Sequence, residues 1–301
     1  MENFIILLLS FALGFLCKKS KRLPENMSTA LNAYIIHVSL PALILIHLPK
    51  IHLSWEILLP VSMSWIVFGL GYLFFQFIGK FVSIPKITLQ ALILCAGLGN
   101  TSFLGFSMIE TYYGKSGIPI GILCDSPGTF LVLSLLGIPY VFQANAKDLN
   151  RKEMILKVVQ FPPFIAFVVA ILCNGINWPS LIESSWKVLA STLVPLALFS
   201  IGFRFELQSI RSKIVYIVLG LLFKMFLAPI CILLYLSFWH LDDSMHKKII
   251  VFEAAMPPMV TAAIVATENN LDPDLAAGLV SVGLLLSFFT LFVWHKVLVY
   301  F

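Results

Sequence analysis

The chain has 301 residues, of which 59% are hydrophobic and only 12% charged, with a formal net charge of +5 and a mean hydropathy of +0.96. A soluble domain carries roughly a quarter of its residues as charges, so a water-soluble enzyme or nucleic-acid-binding module is excluded and a polytopic membrane protein remains. The positive charge therefore bears on topology; the lipid bilayer is an expected partner and nucleic acid is not.

The first apolar run, "NFIILLLSFALGFLC", follows Glu2 and precedes Lys18, Lys19, Lys21 and Arg22. A signal peptide has its positive charge ahead of the apolar run, so this is read as a retained span. Apolar runs and breakers then predict spans at 3–17, 30–48, 55–78, 87–111, 118–141, 154–174, 185–203, 212–239, 248–267 and 275–298. Lys and Arg number thirteen in the odd-numbered loops and six in the others, which puts both termini outside and the central loop in the cytoplasm.

The expected fold is an all-α membrane protein with ten transmembrane helices. Residues 1–141 would form one five-helix repeat, 142–153 a cytoplasmic linker, and 154–301 the second repeat. "SLPALIL" aligns with "LVPLALF", setting Pro41 on Pro195, and "CAGLGNTSFLGFSMIETYYG" aligns with "EAAMPPMVTAAIVATENNLD". Five spans per half is an odd number, so the repeats must be inverted, an arrangement typical of secondary transporters.

The fourth and ninth spans are interrupted at corresponding places. Gly97, Gly99 and Asn100 break one, and Pro257 and Pro258 break the other. Asn100 falls about 13 residues into its span, hence ~20 Å deep at 1.5 Å per residue. Irregular backbone at that depth must face protein or a water-filled cavity. Two helix N-termini meeting there offer N–H groups to an anion.

The substrate-binding candidates are therefore Asn100, Thr101, Ser102, Gly99, Pro257, Pro258 and Thr261. Asn100 has an alternative role as an interhelical hydrogen-bonding residue, and the hydroxyls can instead bond their own helix. Asp125, Lys224 and Glu253 are ionisable residues inside spans, where such groups are costly and face a cavity or each other; they are candidates for ion coupling. Pro41 and Pro195 are read as helix kinks, and His37 as an interhelical hydrogen-bonding group. Cys17, Cys95, Cys124, Cys173 and Cys231 lie in or beside apolar runs with no C-x-x-C among them, so they read as small hydrophobes. Neither a metal nor a cofactor is expected.

At "AAMPPMVTAAIVATENNLDPDLAAGLVSVGLLLSFFTLFVW", "NAYIIHVSLPALIL" and "GNTSFLGFSM", the chain resembles the auxin efflux carrier family. The resemblance implies a carrier of small organic anions, mono- or dicarboxylates, working in an elevator-like manner without ATP. It implies a dimerising scaffold from spans 1, 2, 6 and 7, and a moving domain from spans 3–5 and 8–10 with crossed, broken helices. The sequence departs from the family in having Ser107 in place of a proline, Thr261 where bacterial members often have Asn, Ala262 near a second proline of plant-type members, and Gln76 four residues before Lys80 where those members resemble an Asp-x-x-x-Lys pair. The central loop shrinks to about twelve residues.

Three other functions compete. A non-transporting ligand sensor would use the same fold, and a sodium-coupled bile-acid-type symporter shares the crossed-helix plan. An intramembrane enzyme needs paired carboxylates, a metal set or a nucleophile with its base, none of which the spacing indicates, so the chain is read as not an enzyme.

Overall fold

Helices form wherever the long apolar runs satisfy their own backbone polar groups, as a bilayer requires. The computed structural model describes residues 2–47, 49, 58–145, 156, 159–173, 175–176, 178–205, 207–239 and 244–300, and among them the chain is helical with one isolated β-bridge and no strand. The expected linker falls largely outside these residues, as do Lys50, Lys147, Arg151, Lys152 and Lys157 of the charge count.

Among the described residues, six helical runs are long and apolar enough to cross a membrane: Met27–Ile46, Leu58–Phe81, Ile118–Phe142, Ser180–Phe203, Arg211–Ser237 and Pro273–Val299. They coincide with the expected second, third, fifth, seventh, eighth and tenth spans. The first expected span, 3–17, lies in the helix Glu2–Ser20, whereas the described residues of the sixth, 154–174, hold the 11-residue helix Pro162–Leu172, shorter than a membrane crossing. The fourth and ninth fall short as single helices because each is divided. Lys86–Ala96 is followed by Phe106–Tyr113, and Ser244–Ala254 by Val260–Glu268.

Within the runs the helix is repeatedly widened. The segments Ile35–Ser39, Thr101–Gly105, Cys124–Phe130, Leu133–Gly137 and Phe223–Leu227 are π-helical. Three of them end two residues before a proline, namely Pro41, Pro139 and Pro229, and Pro127 lies inside a fourth. A proline has no N–H for the carbonyl four residues back, and its ring collides with that carbonyl. An extra residue in the preceding turn relieves the collision without ending the helix. Pro195, by contrast, sits in the first turn of Leu193–Arg204, just after the helix Ser180–Ser191 ends, where a missing N–H costs nothing.

The chain divides into two compact units. One gathers Glu2–Trp55 and Ser134–Arg204. Inside it, the helices Glu2–Ser20 and Leu193–Arg204 touch backbone to backbone. A Cβ at Gly14 would lie 2.1 Å from the Phe199 carbonyl oxygen, and one at Gly202 2.1 Å from that of Phe11, the close approach that small residues allow in membranes. Hydroxyl pairs fasten the rest: Ser28 with Ser200 at 2.7 Å, Ser200 to the Asn32 Oδ1 at 2.7 Å, and Ser39 with Thr192 at 2.8 Å. His37 departs from expectation. Its exposed ring donates from Nδ1 to the Ala33 carbonyl at 2.9 Å, one turn back in its own helix, because it faces away from the buried side of the segment.

The other unit gathers Glu56–Leu133 and Phe205–Phe301. Its core includes the fully buried stretch Leu92–Ala96, packed against the helices that carry Ala262, Ala266 and Ala276, and the equally buried Ile249–Phe252. Ser64 joins the third span to the fifth, sharing a hydrogen with Thr129 at 2.7 Å and donating to the Cys124 carbonyl at 3.1 Å. Asp272 begins the last helix in left-handed backbone, φ +40°. Its carboxylate accepts from the Leu275 N–H at 3.3 Å, the Thr88 hydroxyl at 2.6 Å and the Lys213 ammonium at 2.7 Å. The Asp-Pro-Asp sequence is thus a helix cap that also ties together three segments of this unit.

Candidate functional site

The two interruptions meet. Pro257 and Pro258 cannot donate, and each biases the residue before it toward extended backbone, so the ninth segment leaves its first helix as a short extended piece. The fourth leaves its first helix after Gly97 and is likewise extended at Gly99. The pieces pair antiparallel at Gly99 and Pro258: the Asn100 N–H donates to the Pro257 carbonyl at 2.8 Å, and the Met259 N–H to the Leu98 carbonyl at 3.0 Å. Gly99 and Pro258 occupy the non-hydrogen-bonded pair of this ladder, the one position where a residue without an N–H loses nothing.

This pairing alters the expected donor set. The N–H groups of Asn100 and Met259 are consumed by it. The donors left without intrahelical partners by position are those of the first helical turns, Thr101 to Phe103 and Val260 to Ala262. They begin two helices that start on either side of one bridge. Asn100 caps the first of these, its Oδ1 accepting from the Leu104 N–H at 3.4 Å, so the NH2 is the side of the amide that can address a ligand. Asn100, Thr101 and Thr261 are 4%, 1% and 1% exposed, so the crossing is closed to solvent in this conformation. A cavity of about 430 Å³ shares no lining residue with it.

The three ionisable residues are drawn to the same place. Thr101 donates its hydroxyl to the Asp125 Oδ1 at 2.6 Å, with Asp125 carried on the π-turn Cys124–Phe130. Lys224, on the π-turn Phe223–Leu227 and 1% exposed, donates to the carbonyl of Ala254, the last residue of Ser244–Ala254. An ammonium at a helix C-terminus meets the negative end of the helix dipole. Its Nζ also lies 3.0 Å from where a Cβ at Gly99 would stand, so Gly99 is small to admit the lysine as well as to make the bridge. Asp125 and Lys224 do not neutralise one another by a shared bond; each has its own partner.

Glu253 is the exception. It is fully buried, and neither carboxylate oxygen has a hydrogen-bond partner among the described residues. Gly105 and Gly121 make room for it: a methyl at Gly105 would lie 2.6 Å from Oε1, and one at Gly121 3.4 Å from it. Gly105 is one turn beyond Thr101, and Gly121 one turn before Asp125. Sequence reading names all three ionisable groups, and Gly105 as a source of flexibility at the break, but not Gly121 or the grouping; the i, i+4 spacing of Gly121 and Asp125 is the available signal. Ser102 lies beside Asp125. Among the described residues no three His, Cys, Asp or Glu side chains cluster as a metal site.

A family model described as "Membrane transport protein" matches residues 1–295. The chain is 26% identical over 309 residues to "Uncharacterized transporter MJ1031" of Methanocaldococcus jannaschii, covering 99% of this chain and 98% of the relative. It is 27% identical over 307 residues to an uncharacterized transporter of Methanothermobacter thermautotrophicus, with the same coverage. To "Uncharacterized transporter YfdV" of Escherichia coli it is 22% identical over 278 residues, 86% of this chain and 84% of the relative. With six apolar membrane-length helices and a family match over almost its whole length, the chain is an integral membrane protein that belongs to the membrane transport protein family of auxin efflux carrier type.

Proposed function

We propose that the protein is a secondary carrier for a small organic anion, a mono- or dicarboxylate. The observation that carries this reading is the Gly99–Pro258 bridge, which sets two helix N-termini and the Asn100 amide around one buried point. Helix N-termini aimed at a carboxylate within broken spans are the recognised device of such carriers. Thr101, Ser102 and Thr261 sit in or beside these first turns and complete the proposed site.

In this reading ten spans form two inverted repeats, and the unit holding both broken segments moves along a scaffold that dimerises. The division of the chain into Glu56–Leu133 with Phe205–Phe301 and Glu2–Trp55 with Ser134–Arg204 supports it in the main, since the first set contains the expected moving spans 3, 4, 8, 9 and 10, while the fifth is divided between the two sets after Leu133. The membrane is the plasma (inner) membrane, with both termini outside as the charge distribution favours.

The test is counterflow. Protein reconstituted in vesicles loaded with malonate, malate or indole acetate should take up the labelled form of the same anion, and empty vesicles should not. Binding of one of these anions without any exchange would overturn the carrier reading in favour of a ligand sensor.

A further inference from the structure

We propose that Glu253 is the proton carrier of the transport cycle, taking up one proton from water when the anion loads and releasing it on the other side. This rests on the carrier reading and names its coupling ion. The carboxyl is fully buried with both oxygens unpartnered among the described residues, in a cleft opened by Gly105 and Gly121. An isolated ionised carboxylate in such surroundings is far costlier than the neutral acid. Asp125 differs, because Thr101 donates to it and so supports its charge.

The groups that act on Glu253 are Asp125 and Cys124 from the fifth span and Lys224 from the eighth. The fourth span meets it with Gly105. Charged side chains are absent from residues 58–79 of the third span and 275–294 of the last. Lys224 spends a donor on the Ala254 carbonyl, and the Glu253 oxygens accept nothing from it. The local balance is therefore two carboxyls to one ammonium, and a proton on Glu253 closes it.

The coupling to substrate follows from the same geometry. The Glu253 carbonyl oxygen lies 3.6 Å from the Cβ position of Gly99, the residue before Asn100, and the side chain lies one turn along from Thr101. A negative Glu253 repels an anion bound at these first turns, and a neutral one does not. Proton and anion thus favour each other's binding, and by linkage the preference is reciprocal. Transport is then proton–anion symport, stimulated by acid on the side of uptake.

Two measurements on purified protein test this. Infrared difference spectra between acid and alkaline buffer should show a buried carboxylic-acid band that titrates in wild type and in Asp125→Asn, and is missing in Glu253→Gln. The same band in Glu253→Gln, or its absence from wild type, overturns the proposal. In vesicles, wild-type affinity for malonate should fall roughly 5- to 150-fold on alkalinisation, whereas Glu253→Gln should exchange malonate at every pH and fail to accumulate it on a proton gradient. Gradient-driven accumulation by Glu253→Gln at the wild-type level also overturns it. If wild type exchanges no anion, the carrier reading fails while the infrared result still decides whether Glu253 binds a proton.

Discussion

The indole of Trp294 donates to the main-chain carbonyl of Met225 at 2.8 Å, both groups being buried. Met225 is four residues before Pro229, so its carbonyl is the one that proline leaves without a helical donor. The last helix supplies from a side chain the hydrogen bond that the eighth span cannot make for itself, as backbone inside a membrane demands.

Trp294→Phe keeps most of the ring's packing and removes only the N–H. The fold should persist with a stability loss of about 0.6 kcal/mol, the average for hydrogen bonds between membrane helices, and at most about 1.7 kcal/mol. Thermal melting of the detergent-solubilised variant measures it, and an unchanged melting point would mean that the carbonyl finds another donor.

The π-turns bear directly on how much of this fold was legible. Pro41, Pro139 and Pro229 each announce a widened turn that ends two residues earlier, yet a proline in an apolar run reads from sequence only as a kink. The breaks at Gly99–Asn100 and Pro257–Pro258 were legible because glycine, amide and paired prolines are costly at membrane depth. Their hydrogen-bonded pairing was not, because it joins residues some 159 positions apart and depends on the two segments crossing. Glu253 was visible as a buried charge. Its lack of partners was not, since that depends on Gly105 and Gly121 arriving from two other segments.

Ser107 completes the π-turn pattern. The turn Thr101–Gly105 ends two residues before it, the spacing at which the other three turns meet a proline, and the side chain of Ser107 lies outside the described set. Here the Asn100 cap on the Leu104 N–H accompanies the widened turn in place of a proline. Ser107→Pro should therefore fold with an unchanged or raised melting temperature, helped by a less flexible unfolded chain. Leu104→Pro, which deletes the capped N–H, should lower the melting temperature, at a cost of about 3 kcal/mol or more in stability. Equal damage from both would refute this account of the turn.

Asp272 makes a graded test of the cap. Asn at this position tolerates left-handed backbone and still accepts from Leu275, but it loses the charge that holds Lys213. Ala loses the cap, the Thr88 bond and the ion pair together. Asp272→Asn should cost about 1 kcal/mol, since the lysine is partly solvated. Asp272→Ala should cost about 2–3 kcal/mol. Chemical or thermal denaturation in detergent should rank them in that order, and equal losses would show that the neutral bonds contribute nothing.

Asn100 separates structure from function most sharply, because its two amide ends have different work. The oxygen caps the helix at Leu104, and the NH2 is the end proposed to meet a substrate carboxylate. Asn100→Leu removes both. Losing a hydrogen bond to a charged partner is worth ~1.5–3 kcal/mol, so anion affinity should fall roughly 10- to 150-fold, with about 1 kcal/mol of stability lost along with the cap. Asn100→Asp removes only the donor, keeping an acceptor for Leu104 while placing a negative charge against the anion. It should keep the cap at Leu104 and yet bind the exchanged carboxylate at least as weakly as the Leu variant. Were Asn100 only a structural cap, the Asp variant would keep wild-type affinity while the Leu variant lost stability alone. Affinity and melting temperature measured on the same two purified proteins distinguish these outcomes.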